Sequence, residues 1–228
     1  MIEFKDVSKI YKNKFTAVEN INLKIEEGSF SFIVGKSGAG KTTLIKLLIK
    51  EVEPTSGIII FNSLDITKLN NRLIPINRRK IGVIFQDFRL LENKTVYENI
   101  AFAMEVVGHS SRTIRREIPT VLSMVGLSDK ANNYPNELAG GEQQRIAIAR
   151  AVANKPKVII ADEPTGNLDP ETSFEIMKIF KEINRRGTTL IMATHDRDIV
   201  DIMKKRVIEL KNGRIIRDTK EGEYYNAF

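Results

Sequence analysis

Phe30-Ser31-Phe32-Ile33-Val34-Gly35-Lys36-Ser37-Gly38-Ala39-Gly40-Lys41-Thr42 passes from an apolar run through a glycine-rich turn to a lysine and a threonine. An almost continuous apolar run of this length reads as a strand buried on both faces of a sheet. Residues 41–50 then place Leu44, Ile45, Leu47 and Leu48 at helical spacing. Strand, G-x-x-x-x-G-K-[ST] loop and helix together make a phosphate-binding loop. Its glycines let successive backbone N–H groups curl toward phosphate oxygens, and the helix N-terminus adds its positive end. In that arrangement Lys41 reaches the β- and γ-phosphates and the Thr42 hydroxyl ligates Mg²⁺. A chance glycine turn would lack both the full spacing and the buried strand before it. The loop alone does not separate kinases, GTPases and ATPases.

A second glycine pair stands about a hundred residues on. Leu138-Ala139-Gly140-Gly141-Glu142 directly precedes the helical text Gln143-Gln144-Arg145-Ile146. Two phosphate-facing helix starts in one chain imply a nucleotide touched from two sides.

Upstream of the first loop, Ile21, Leu23 and Ile25 alternate with Asn22 and Lys24, a period-two strand that stops at Glu27-Gly28. Downstream, Pro54 and Gly57 end the helix and residues 57–61 return to strand. Residues 81–85 read as another buried strand, with Gln86 after it. From about 95 to 154 the character is helical, with breaks expected at Gly108, Pro119, Gly126 and Pro135. Strands return at 158–161 and 189–193. Between them, residues 174–186 form an amphipathic helix with Ile176, Ile179, Phe180 and Ile183 on one face. The pattern predicts an α/β fold: a P-loop NTPase core with a parallel sheet, an N-terminal antiparallel β subdomain and an inserted α-helical subdomain at about 95–154, in one domain, 1–228.

At 228 residues the chain can bury a sizeable core. It has no cysteine, which excludes a disulfide framework or a thiolate zinc site and fits a reducing compartment. The first residues do not resemble a secretion signal, and no apolar run approaches the ~18 residues that span a bilayer. Lys plus Arg number 36 against 29 Asp plus Glu, a net charge of +7. There is no long lysine-arginine tract and no aromatic-interleaved basic patch of the kind single-strand binders use, so charge alone does not choose a partner, and it fits an anionic membrane surface at least as well as nucleic acid.

Val158-Ile159-Ile160-Ala161-Asp162-Glu163-Pro164 carries two carboxylates out of an apolar run. They are expected at the end of a strand beside the P-loop strand, with Asp162 holding the metal and Glu163 polarising the attacking water. His195 follows the apolar run 190–193 and Thr194, again at a strand's end, where the γ-phosphate is expected. The other histidine, His109, reads as a loop residue without a role.

These stretches, taken in order along nearly the whole chain, resemble the ATP-binding subunit of ABC-type ATPases. The resemblance implies ATP and Mg²⁺ as ligands, contacted by Gly35, Lys36, Ser37, Gly38, Ala39, Gly40, Lys41, Thr42 and Thr43. It implies Gln86 as a Q-loop residue acting in catalysis and at the metal with Thr42 and Asp162, and Glu163 and His195 as catalytic. It implies Asn167-Leu168-Asp169 as the D-loop, and Tyr11 of Ser8-Lys9-Ile10-Tyr11 as the aromatic stacked on adenine. Ala139, Gly140, Gly141 and Glu142 match the signature that faces the nucleotide of a second copy, so a homodimer on ATP binding is implied. Two positions depart from the pattern: Glu142 replaces glutamine, and Ala139 replaces a serine whose hydroxyl reaches the opposing γ-phosphate.

Within the family, Gln86-Asp87-Phe88-Arg89-Leu90-Leu91 and Thr95-Val96-Tyr97-Glu98-Asn99 are similar to the cell-division ATP-binding subunits. Gly166-Asn167-Leu168-Asp169 is shared more widely, with lipoprotein-release and macrolide-export ATPases. The likeness implies an FtsX-like integral membrane partner docked near Phe88, Leu90, Leu91 and Tyr97. It also implies regulation of cell-wall hydrolases, and a peripheral place on the cytoplasmic face of a bacterial plasma membrane. The alternative is the ATPase subunit of a lipoprotein or peptide exporter, which shares every catalytic motif. Nucleic-acid ABC proteins instead carry a long coiled-coil insertion or two cassettes, and neither is here, so nucleic acid is not an expected partner.

Overall fold

A computed structural model describes residues 1–220; residues 221–228, the end of the expected domain, lie outside the described residues. In chain order come strands β1 (Ile2–Ile10), β2 (Thr16–Ile25) and β3 (Phe30–Val34), then helix α1 (Lys41–Leu48). Strands β4 (Ser56–Phe61) and β5 (Leu64–Asp65), the short helix α2 (Ile74–Arg78) and strand β6 (Ile81–Ile84) follow. Helices α3 (Val96–Val107), α4 (Ser111–Met124) and α5 (Gly140–Val152) form one helical block. The chain then alternates through β7 (Val158–Asp162), α6 (Pro170–Arg185), β8 (Thr189–Ala193) and α7 (Arg197–Met203), and ends in the hairpin β9 (Arg206–Lys211) and β10 (Arg214–Thr219).

The strands form two sheets. One is antiparallel, in the order β2-β1-β4-β5. The other runs β10-β9-β3-β8-β7-β6 and is parallel except for β10. All five residues of β3 are buried, because β9 and β8 flank it and side chains cover both faces. Phe30, Phe32 and Val34 join a core with α3, α4, α5 and α6, while Ile33 joins a second core with α1 and the antiparallel sheet. In β2, Ile21, Leu23 and Ile25 are buried and Asn22 and Lys24 exposed, as their alternation requires.

Two sequence expectations are corrected. The strand carrying Asp162 is not beside the P-loop strand: β8 lies between β3 and β7. Strand order in a parallel sheet is set by crossovers of tens of residues, which local pattern does not reveal. Second, Pro119 does not break the helical block, since α4 runs through it. Pro119 sits on the exposed side, where water can satisfy the carbonyl it leaves unpaired, while Ile114, Ile118 and Leu122 hold the opposite face in the core. Helix α6 starts earlier than the apolar periodicity suggests, because Asp169 caps it by accepting from the Thr172 N–H at 2.9 Å and Pro170 takes the first position.

Among the described residues, no helix is long and apolar enough to cross a membrane.

Candidate nucleotide site

The loop between β3 and α1 is shaped by glycines that no other residue could replace. Gly35 has φ 147° and a β-carbon there would fall 2.4 Å from the Leu210 carbonyl oxygen. Gly40, at φ 109°, ends the loop as the cap of α1, and its β-carbon would meet the Ala17 carbonyl oxygen at 2.6 Å. Backbone therefore packs on backbone at both ends, which fixes the curl of the loop, and within it the Ala39 N–H donates to the Lys36 carbonyl at 3.1 Å.

Lys41, the first residue of α1, is only 8% exposed. Its ammonium turns back into the loop and donates to the Gly35 carbonyl at 2.7 Å and the Lys36 carbonyl at 3.5 Å. It also stands 3.7 Å from Glu163 Oε1.

Strand β7 delivers the carboxylates. Asp162 Oδ2 accepts from the Thr42 hydroxyl at 3.2 Å. Burial is the main influence on Asp162 and pushes its pKa up, with the Thr42 hydrogen bond opposing and the neighbouring Glu163 charge adding to the rise. Glu163 follows in the left-handed region, φ 50°, so its side chain leaves the strand direction. The intervening β8 supplies its partner. Asp162 pairs with Ala193, and two residues on, His195 Nδ1 lies 2.8 Å from Glu163 Oε2, which also accepts the His195 backbone N–H at 3.3 Å. With the carboxylate ionised, Nδ1 carries the proton and donates it.

These groups line an open cleft of about 630 Å³ with residues 36–43, Gln86, Phe15, Ala17 and Arg197. The Thr42 hydroxyl, the Asp162 carboxylate and the Gln86 amide oxygen are hard oxygen donors, the kind Mg²⁺ takes. Among the described residues, no cluster of three or more His, Cys, Asp or Glu forms a protein-only metal cage.

The expected site residues do not all meet. Tyr11 lies half-buried in a separate groove with Lys9, Ile10, Lys12, Asn13, Val52 and Glu53, and the Lys9 ammonium is 5.3 Å from its ring centre. Phe15, 51% exposed and set in the same β1–β2 turn, lines the P-loop cleft. Sequence reasoning missed Phe15, Ala17 and Arg197. An aromatic four residues past Tyr11 in one hairpin was the available signal for the first, and the position two beyond His195 for the last.

Ala139, Gly140, Gly141 and Glu142 are also absent from the cleft. Ala139 caps α5 without a side-chain acceptor, while Glu142 Oε2 accepts the Ala139 N–H at 3.0 Å. Ala139 and Gly140 are exposed. Gly141 packs so tightly on α6 that a β-carbon would lie 2.4 Å from Thr172 Cγ2. The helix starts at Gly40 and Gly140 thus open onto different spaces.

Known proteins share this design. The profile of the family described as ABC transporter matches residues 18–166. The chain is 52% identical over 224 residues to the cell division ATP-binding protein FtsE of Bacillus subtilis, covering 98% of each chain. It is 53% identical over 225 residues to FtsE of Mycobacterium tuberculosis, again covering 98% of each. A solved dimeric ATP-binding cassette, in a post-hydrolysis state bound to ADP and Pi, superposes with a TM-score of 0.87 at 36% identity, over 98% of this chain and 100% of that one. With the motifs, the fold and full-length relatives in agreement, the chain belongs to the ABC transporter family.

Proposed function

We propose that this ATPase works as the nucleotide-driven half of a cell-division complex: two copies close head to tail on ATP, and the movement is passed to an FtsX-like membrane protein that regulates cell-wall hydrolases. The observation that carries the reading is the position of Glu163, held between Lys41 and His195 at the mouth of a P-loop cleft that the chain's own signature does not reach. The names of the relatives supply the cell-division context.

In this reading Lys41 and the loop N–H groups hold the β- and γ-phosphates. Glu163 takes a proton from water as its oxygen attacks the γ-phosphorus. The bond from that phosphorus to the β–γ bridging oxygen breaks, leaving ADP and phosphate. His195 keeps the Glu163 carboxylate oriented through Nδ1. Mg²⁺, held by Thr42, Asp162 and Gln86, would neutralise charge on the phosphate oxygens.

Ala139 bears on closure. A serine hydroxyl there would add a charge-assisted hydrogen bond to the γ-phosphate in the second copy, worth roughly 1.5–3 kcal/mol. Ala139→Ser is therefore expected to tighten ATP-driven dimerisation by about tenfold or more, measured by sedimentation with hydrolysis blocked. The serine would also cap α5 within its own copy. A gain in melting temperature without ATP reports the cap, and a gain in dimer only with ATP reports the contact across the interface. No gain in dimer means that backbone N–H groups already suffice.

Among the expected docking residues, Phe88, Leu90 and Tyr97 pack against the larger core, so folding already accounts for them. Leu91 is half-buried, with its N–H and carbonyl held by the Asn99 amide at 2.9 and 3.1 Å. Leu91→Asp should leave ATP turnover near normal and sharply reduce co-purification with a co-expressed FtsX-like membrane protein. Undiminished recovery from membranes would remove this surface, and recovery without that membrane protein would remove the partner. The peripheral place on the cytoplasmic face belongs to the same proposal.

A further inference from the structure

Arg150 stands ten residues beyond Gly140 on α5, about 15 Å along the helix axis. It makes no ion pair with a carboxylate among the described residues. Its guanidinium instead donates through Nη2 to the Phe88 carbonyl at 2.8 Å and through Nη1 to the Arg89 carbonyl. Both acceptor residues are in the left-handed region, Phe88 at φ 55° and Arg89 at φ 49°. Two consecutive residues with side chains rarely adopt it, and such a pair persists only where its surroundings hold it.

The segment around Gln86 is folded onto itself as well. The Arg89 guanidinium lies 3.7 Å from the centre of the Phe85 ring and pairs with Asp87 at 3.1 Å. The Gln86 side chain passes over Gly166, whose β-carbon would sit 3.1 Å from Gln86 Nε2. Beyond it, Leu91 is tied to Asn99 on α3. Gln86 therefore precedes a strained turn that Arg150 holds from α5, Asn99 holds from α3 and Phe88 anchors on the core. Burial withdraws that guanidinium from water and lowers its pKa, which makes the two carbonyls its effective environment.

We propose that Arg150 is the positioning residue for Gln86: by clamping the Phe88 and Arg89 carbonyls it makes the Gln86 segment move as one piece with the helix that begins at Gly140. A shift of α5 when its first turn meets the nucleotide of a second copy is thereby carried to Gln86 in the chain's own cleft. The proposal rests on the reading that Gln86 serves hydrolysis.

The test is a double-mutant cycle on the full chain with Mg-ATP turnover as readout. Arg150→Met keeps the apolar stem and removes the fork. It should lower kcat by about tenfold with KM for ATP within about twofold, since positioning for the chemical step is lost and nucleotide binding is not. Arg150→Lys, with one ammonium in place of a fork, should recover part of the rate. In a Gln86→Ala background, Arg150→Met should cost nothing further, because the group it positions is gone. Amide exchange at 86–91 should speed up in Arg150→Met while that of β3 and α1 does not. If Gln86→Ala slows turnover but Arg150→Met does not, or if the two losses multiply, the proposal is overturned and the reading of Gln86 stands. If Gln86→Ala turns over normally, the reading of Gln86 fails and the proposal with it. Should Arg150→Met not fold, Arg150→Lys is carried through the same cycle: a loss that disappears in Gln86→Ala supports the clamp, and no loss overturns it.

Discussion

Replacing Glu163 with glutamine is expected to slow ATP turnover by a factor of about 10²–10⁴ while ATP still binds. Glutamine keeps the size of the side chain and an oxygen that can accept from His195 Nδ1, so the local hydrogen bonding survives. It loses the ability to take a proton. It also loses the charge that now stands 3.7 Å from the Lys41 ammonium, so Lys41 becomes freer to meet phosphate. Binding should therefore be preserved or slightly stronger, and the uncleaved nucleotide should hold two copies together. Sedimentation with Mg-ATP should show dimer in Glu163→Gln at protein concentrations where the original chain is mostly monomer. Turnover at the original rate in the variant would remove Glu163 from the chemistry.

Lys41→Ala should act earlier, on binding itself. The ammonium is enclosed by the Gly35 and Lys36 carbonyls, inside a loop whose shape the glycines already fix. Removing it leaves the loop folded and subtracts a charge-assisted contact to phosphate worth roughly 1.5–3 kcal/mol per bond. ATP affinity should fall by about a hundredfold, with little change in melting temperature without nucleotide. Calorimetric titration with ATP measures the first and thermal unfolding the second. Affinity close to that of the original chain would mean that the backbone N–H groups alone bind the phosphates.

Much of this site is legible in the amino-acid sequence because the informative residues are local. A glycine loop between a buried strand and a helix needs a dozen consecutive residues, and 30–42 hold them. The carboxylates at 162 and 163 and His195 are legible as strand ends for the same reason. What is not legible depends on neighbours distant in sequence. The insertion of β8 between β3 and β7 brings His195 to Glu163, and nothing within either segment announces it. Pro119 reads as a stop because its cost depends on which face it occupies, and that is settled only when Ile114, Ile118 and Leu122 find their core. Phe15 and Tyr11 are both aromatics of one hairpin, and only the fold of the turn decides which faces the cleft. Arg150 reads as one of many basic residues on a helix; its role exists only where the chain returns 61 and 62 residues away.

Ala139, Gly140 and Gly141 stand apart from the cleft of their own chain, and that separation bears on copy number. If each reaction chamber needs parts from two molecules, output at low occupancy rises with the square of the number present, by mass action. Halving the copies then quarters the work, whereas a self-sufficient enzyme would lose only half. Tethering two copies to one scaffold replaces bulk concentration with a local one, on the order of millimolar for short links. An ATPase built this way stays nearly idle when dispersed through the cell and becomes active where it is gathered, with no inhibitor needed to keep it quiet.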